Sequence, residues 1–538
     1  MKIDLTGLQR ARARSIAVAS ALMLALITGG WFMQLGARNG QRSSLEGARL
    51  FENVMRHVEN DFVDSIATPD LYRKAVDGLL YELGDPYTAF LAPDKLGKLS
   101  ESTTGNYAGL GLQVEIRDNA VVVIAPLPGS PAERAGLMTG DRIVEVQGKS
   151  TQGWTLEDVG NVFRGKTGET VALKVDRPGN MKPLPFNLTR RAIHLSAVRR
   201  ASLLANGVGY VDLKAFSDST TREMSRAIDS LAKAGMHSLI LDLRANPGGL
   251  LSQGVDVADL FLDSRQRIVS LRGRIPQANA DFDDRETQKW ATLPVVVLVD
   301  GRSASASEIV AGALQDHDRA VVIGRPTYGK GSAQSLYRLG NAGGLKITTA
   351  RWFTPAGRSI NKWVVREDSE LPDSEEPAKQ PFKTDAGRTV FGGGGITPDI
   401  LAGDTAIAPA IAALQSALGT RVSAFRDALT EYALSLKASG TIREQNFPVT
   451  PEMREQLWKR MVARGVDIPK SVYEDASDGI DTLLGYEIAR FVFGPEGEFR
   501  RRAARDEPIS RALKLLGGSP TPRDVLDRAE ELQKTSQK

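Results

Sequence analysis

The chain has 538 residues, 41% of them hydrophobic and 25% charged, with a net charge of +4 at pH 7. That length and balance describe a globular protein of several domains, and so small a charge on so long a chain excludes nucleic acid as an electrostatically driven partner. The absence of cysteine removes disulfide frameworks and thiolate metal sites.

Residues 15–37, SIAVASALMLALITGGWFMQLGA, carry no charge and follow Arg10, Arg12 and Arg14. At about 1.5 Å per residue such a run crosses a hydrocarbon core of about 30 Å, and the arginines keep its start on the cytoplasmic side. It reads as a membrane anchor with the remaining chain outside the cytoplasmic membrane; a signal peptide cleaved after Leu35-Gly36-Ala37 is the alternative. From Leu45 to about Ser100, Leu50, Phe51, Val54, Val58 and then Leu71, Ala75, Leu79 and Leu80 recur at helical spacing until the turn Gly84-Asp85-Pro86-Tyr87.

Residues 105–190 form a separate module. Gly109-Leu110-Gly111-Leu112 precedes two β-rich runs, 113–116 and 121–125. Ser130-Pro131-Ala132 carries the signals of a short helix, and Ala135-Gly136-Leu137 and Gly140-Asp141-Arg142-Ile143 follow. From Gly209 the pattern becomes strand (Tyr210 to Phe216), helix (Thr220 to Ala234), strand (Ser238 to Leu243), which predicts a right-handed parallel crossover. The last strand runs into Asn246-Pro247-Gly248-Gly249. α/β sheets place their sites at such strand ends, where glycine N–H groups can hold an oxyanion; by itself this is equally an ordinary left-handed turn.

Val295 to Val299 then read as a strand, the run from Ser303 to Ser307 as a small-residue loop, and Glu308 to Leu314 as a helix. A hydroxyl between alanines at a helix N-terminus has backbone N–H groups beside it and nothing bulky to block a substrate. After a strand at Ala320 to Ile323 comes Gly329-Lys330-Gly331, with Gln334 beyond it. A serine hydroxyl needs a base, and a lysine serves once burial has removed its proton, a shift of up to about 3–5 units from about 10.4. A glutamine beside it can hydrogen-bond the amine without favouring the charged form. Three competing readings are weaker. Gly324 to Lys330 is most of a phosphate-binding loop, but Gly331 stands where the magnesium-binding hydroxyl belongs. His317, one of four histidines, is a conceivable base but fits a helix end better. No His-Glu-x-x-His zinc pattern occurs.

Ser303-Ala304-Ser305-Ala306-Ser307-Glu308 followed by Gly329-Lys330-Gly331 and Gln334 resembles the carboxyl-terminal processing proteases, or tail-specific proteases, over roughly residues 45–402. The resemblance implies a Ser-Lys serine endopeptidase of crotonase-like α/β fold, with Ser305 as nucleophile, Lys330 as base and Gln334 orienting the lysine. It implies an oxyanion hole from Ala306 and either Gly248 or Gly249, and a PDZ domain whose Gly109, Leu110, Gly111 and Leu112 hold a substrate's terminal carboxylate. Phe353-Thr354-Pro355-Ala356-Gly357-Arg358 and Gly395-Ile396-Thr397-Pro398-Asp399 match its closing segments, with a polar loop, Arg366 to Thr389, between them. Residues 404–538 are helical by pattern, at Val422, Phe425, Leu429, Ala433 and Leu436, and fit packing onto the protease.

The resulting division is anchor or signal 1–37, helical region 38–104, PDZ domain 105–190, protease core 191–402 and helical region 403–538. Neither metal nor organic cofactor is implied. The expected partners are proteins with accessible C-termini, with an adaptor protein or a second copy of the chain compatible with this reading. A non-catalytic PDZ adaptor at the membrane is the rival reading of the whole chain.

Overall fold

The computed structural model describes residues 45–536 apart from 118, 178–179, 264, 288, 363–379 and 404–406. The expected anchor at 15–37 and much of the polar loop after Arg366 lie outside the described residues, among which no helix is long and apolar enough to cross a membrane.

The chain divides after Phe90 into two units. In the first, 45–61 and Thr68–Glu82 are helices, the latter opening with Pro69 and Asp70 in its first turn. Leu71 and Leu80 are buried, whereas Leu50, Phe51, Val54 and Leu79 of the same apolar stripes remain exposed.

The second unit is built on a sheet in which Val208–Leu213, Ser238–Asp242, Val295–Val299 and Val321–Gly324 run parallel side by side. Val198–Leu203 pairs antiparallel on one edge and Ile400–Leu401 parallel on the other. Every residue of the four central strands is buried. A run such as Val295 to Val299, with no polar alternation, suits a parallel strand covered on both faces. One face packs on the helices Thr220–Lys233, Leu251–Asp259 and Ala306–Asp316 through Met224, Ile228, Val255, Ile309 and Val310. The other face, with Tyr210, Ile240, Val296 and Leu298, packs on Ile509, Leu515 and Leu516 of the helix Glu507–Leu516 and on Val525 and Leu526 of Pro522–Ser536. The second layer of the core sheet therefore comes from the end of the chain, well past residue 402.

Between these parts, Pro409–Leu418, Val422–Ser439, Pro451–Ala463 and Ser477–Ala503 pack around their own apolar core. The last of them kinks at Gly494, where φ is +75°, just before Pro495; proline has no N–H for the helical ladder, and glycine absorbs the turn without a Cβ clash.

The inserted module is a sheet of Leu112–Arg117, Ala120–Pro126, Arg142–Val146, Thr170–Asp176 and Leu184–Thr189, with the helix Leu156–Phe163 capped by Thr155. Thr170–Asp176 alternates exposed and buried along its length, the pattern of a strand with one wet face. The segments entering and leaving the module, Asn106–Gly109 and Arg191–His194, pair antiparallel, so a two-stranded ribbon carries it.

Candidate active site

Three turns at the carboxyl ends of adjacent parallel strands meet at the serine loop. After Val299, the Asp300 N–H donates to Ser303 Oγ (2.9 Å) and the Ser303 N–H to Asp300 O (2.9 Å). Ser303 Oγ donates to Leu243 O (2.8 Å) and Ser307 Oγ to Asn246 O (2.9 Å). The first and third serines thus fasten the loop to the turn after the neighbouring strand. Ser305, half-buried between them, has φ +56° and ψ −115°, a state that costs a non-glycine residue about 1–3 kcal/mol and persists only where the surroundings enforce it. It caps the helix Ala306–Asp316, which is buried along its whole length; the amide of Ala306 is among those a helix leaves unpaired at its start.

The glycine turn lies against this cap. Asn246, fully buried, accepts at Oδ1 from the Gly248 N–H (2.9 Å), donates from Nδ2 to Leu213 O (2.8 Å) and accepts at its carbonyl from the Ala304 N–H (3.0 Å). Gly248 has φ +91°, and a Cβ there would stand 2.8 Å from Ser305 Cβ and 2.9 Å from Ala306 N. Only glycine fits. Phe216 donates its N–H to Gly248 O (3.1 Å) and accepts from the Leu250 N–H (2.8 Å), a parallel pairing that turns the Gly249 N–H to the side away from Phe216.

Glu308 joins the serine loop to the lysine loop. Fully buried, it accepts at Oε2 from the N–H groups of Ser305 (2.7 Å) and Lys330 (3.0 Å), and at Oε1 from the Gly329 N–H (2.6 Å) and Thr327 Oγ1 (2.6 Å). One carboxylate oxygen therefore fixes the backbones of Ser305 and Lys330 to each other. Burial pushes the Glu308 carboxyl above its ordinary value, against hydrogen bonds from Thr327, Gly329, Ser305 and Lys330 that favour the charged form. The lysine loop is held from its other side by Trp352 Nε1, which donates to Lys330 O (3.0 Å), by the Lys362 N–H to Gly329 O (2.9 Å), and by Asn361 Oδ1, which accepts from the Gly331 N–H (3.2 Å). Thr327 Oγ1 also accepts from the Ile396 N–H (2.6 Å), which draws in the Gly395-Ile396-Thr397 segment.

Gln334 lies on the strand Ser332–Arg338 that leaves this loop, beside a bulge at Ala333. Its Nε2 donates to Ser332 Oγ (3.0 Å) and Thr348 Oγ1 (3.1 Å). The strand also removes the phosphate-loop reading, since no helix follows Lys330 to offer its N-terminus. His317 is the C-cap of the helix that Ser305 begins, about 18 Å away at 1.5 Å per residue. Its ring nitrogens contact Asp385 Oδ2 (2.7 Å) and Arg267 O (2.6 Å), so it is no base for Ser305. Among the described residues no group of three acidic or histidine side chains could hold a metal ion.

Sequence reasoning gave no role to Glu308, Asn246, Thr327 or Trp352. Two of them had a legible signal: Ser305-x-x-Glu308 has capping-box spacing, and Asn246 opens an Asn-Pro-Gly turn.

In the inserted module Leu112–Arg117 is an edge strand of its sheet. Leu110 O accepts from the Ala132 N–H (3.0 Å) and Gly111 O from the Leu127 N–H (2.8 Å). A trans peptide points its N–H opposite to its C=O, so the N–H groups of Gly111 and Leu112 turn away from those partners. Gly111 has φ +74°, and a Cβ there would fall 2.2 Å from Ser130 Cβ. Gly109 lies on the connecting ribbon, and Leu110 is buried in the module's core.

An α/β core with a strained serine at a strand-to-helix turn, carrying an inserted PDZ module, defines a serine peptidase. Residues 207–371 match the peptidase family S41 and residues 122–177 the PDZ domain. The chain is 35% identical over 349 residues to the carboxy-terminal-processing protease of Bartonella bacilliformis, spanning 64% of this chain and 79% of that one. It is 32% identical over 381 residues to the carboxy-terminal processing protease CtpA of Bacillus subtilis, spanning 70% and 79%. The solved photosystem II D1 C-terminal processing protease aligns at 34% identity with a TM-score of 0.34, covering 58% of this chain and 83% of that one. The chain belongs to the carboxy-terminal processing proteases of peptidase family S41, and its fold is the crotonase-like α/β core with an inserted PDZ domain.

Proposed function

We propose that the protein is an extracytoplasmic endopeptidase that cleaves proteins selected by their C-termini, with Ser305 as nucleophile and Lys330 as general base. The observation that carries this reading is the Glu308 carboxylate, which holds the backbones of Ser305 and Lys330 on one oxygen. The neutral Lys330 amine takes the Ser305 proton as Oγ attacks the scissile carbonyl carbon, and the Gln334 carbonyl oxygen orients the amine. The oxyanion is received by the N–H of Ala306, reinforced by the helix dipole, and by that of Gly249, since the Gly248 N–H is engaged by Asn246. Collapse expels the leaving amine with the proton from Lys330; water, activated by the same lysine, then hydrolyses the acyl-enzyme.

Substrate enters as an added strand along Leu112–Arg117, its terminal carboxylate received by N–H groups of the Gly109 to Leu112 loop. Residues 15–37 keep the enzyme at the cytoplasmic membrane facing outward, or export it if they are cleaved. An adaptor protein and a homo-oligomer remain compatible partners.

The test is a set of variants in the full-length protein. Ser305→Ala and Lys330→Ala each abolish cleavage of an unstructured protein, the double variant is no worse than either, and a serine-directed covalent probe labels wild type at Ser305. Cleavage retained by Lys330→Ala refutes the dyad, and a folded protein that neither cleaves nor labels is the PDZ adaptor instead.

A further inference from the structure

The helices after residue 408 leave a cavity against the outer face of the PDZ sheet. It measures about 380 Å³ and lies between Glu115 and Arg117 of the edge strand and the helices Pro409–Leu418, Val422–Ser439 and Ser477–Ala503. Apolar side chains, among them Ile411, Leu414, Leu418, Phe425, Leu429 and Leu483, line it, and Arg426, Arg490 and Arg502 join Arg117 around it against Glu115 and Glu487. The helices are fastened to the sheet by Arg142 Nη2 to Asp427 Oδ2 (2.7 Å), Arg490 Nη2 to Ile124 O (3.2 Å) and Arg117 Nη1 to Thr430 Oγ1 (3.5 Å). Glu115 and Arg117 thus place the edge strand in the cavity wall.

Strand alternation decides which part of a bound tail reaches it. Leu112, Val114 and Ile116 pack on the PDZ core, so Gln113, Glu115 and Arg117 occupy the opposite face. A peptide adding antiparallel to this edge, its carboxylate at the Leu110 to Leu112 loop, runs upstream alongside 113 to 117, and cross-strand neighbours share a face. Counting the last residue as 0, positions −3 and −5 fall beside Glu115 and Arg117 on the cavity side. Positions −2 and −4 face the PDZ core side. The volume is that of a small ligand site, enough for one aromatic side chain.

We propose that the C-terminal helical region reads a second feature of the substrate, a large apolar side chain three or five residues before the C-terminus, which inserts into this cavity while the PDZ loop holds the terminal carboxylate. The inference rests on the PDZ reading given above, and the experiment separates the two.

Steady-state kinetics on full-length protein would use unstructured polypeptides with one common apolar last residue, carrying alanine upstream or a single tryptophan at −3, −4 or −5, each as free acid and as amide. Tryptophan at −3 or −5 lowers KM about tenfold relative to the alanine tail, with kcat unchanged, and tryptophan at −4 does not. Leu483→Gln makes the cavity wall polar and Gln415→Trp fills its mouth; both positions are exposed, so neither substitution disturbs a core. Each raises KM for the −3 and −5 tails to that of the alanine tail, and retention of the amidation penalty in both shows an intact PDZ site. Indifference to −3 and −5 in wild type, or a tryptophan effect surviving both variants, overturns the inference and leaves the PDZ reading standing. An amide bound as well as the acid by wild type overturns the PDZ reading and the inference with it. Self-association lost in both variants, with no tryptophan effect, assigns the cavity to a second copy of the chain and likewise overturns the proposal.

Discussion

Replacing Glu308 by glutamine separates what this carboxylate does for the site from what it does for stability. Each carboxylate oxygen accepts two hydrogen bonds, from Ser305 and Lys330 at one and from Gly329 and Thr327 at the other. An amide offers a single oxygen, so in either orientation its NH₂ confronts two of these donors. Losing two hydrogen bonds to a charged acceptor, at about 1.5 kcal/mol each at the low end, amounts to about 3 kcal/mol, or about 100-fold in kcat if the whole loss falls on the alignment of the two loops. Global stability moves less. Because burial raises the Glu308 pKa, the folded chain retains a proton that the unfolded chain releases. Ionised Glu308 therefore weighs against folding, increasingly so as pH rises through its folded value, and the neutral amide removes that cost. The assay pairs kcat and KM on an unstructured substrate with hydrogen exchange at 303–308 and 327–331. The expected result is a kcat about 100-fold lower, faster exchange in both loops and a small change in thermal midpoint. Protonating wild-type Glu308 loosens the same loops, so wild-type kcat declines as pH drops through its raised pKa, a limb absent from Glu308→Gln. A variant with kcat within threefold of wild type and unchanged exchange would refute the bracing role.

Three further outcomes follow from the geometry. Asn246→Ala frees the Gly248 N–H and orphans Leu213 O; stability falls by about 1–3 kcal/mol and kcat falls more than tenfold with KM steady, and an unchanged kcat would detach this turn from the oxyanion. Asp284 has its carboxyl pushed up to about 7 by burial and by its neighbour Asp259, against about 3.9 unfolded. The folded state therefore holds a proton the unfolded state has lost, the thermal midpoint declines as pH rises from about 4 through 7, and Asp284→Asn flattens that decline; an unaltered profile in the variant contradicts the assignment. If residues 15–37 anchor the chain, full-length protein stays with membranes through a carbonate wash, whereas recovery of a soluble form starting near Arg38 establishes a cleaved signal.

The serine and lysine loops were legible because their chemistry is local: a small-residue run between a strand and a helix, and a lysine flanked by glycines, announce a close approach of backbones. Glu308 stood in the same motif, yet its role was hidden, because three of its four donors lie 19, 21 and 22 positions away and no periodicity encodes that meeting. The core shows a similar limit at larger scale. Val295 to Val299 and Ser238 to Asp242 declare strands buried on both faces, and the helices 220–233, 251–259 and 306–316 supply only one covering layer. A second layer had to exist. Packing of residues 404–538 onto the protease was expected from their helical pattern, but not that Glu507–Leu516 and Pro522–Ser536 would be the helices covering this face, since an apolar stripe states that a partner is required and not which sheet provides it. Arg244 ties this layer to the site end of the sheet: its guanidinium bridges Asp242, at the end of the strand leading to the glycine turn, and Asp506, the N-cap of Glu507–Leu516. Removing the last helices would therefore expose Tyr210, Ile240, Val296 and Leu298 and leave Arg244, two residues before Asn246, with Asp242 as its remaining carboxylate partner. The C-terminal region belongs physically to the catalytic core, although the family motifs end a hundred residues before it.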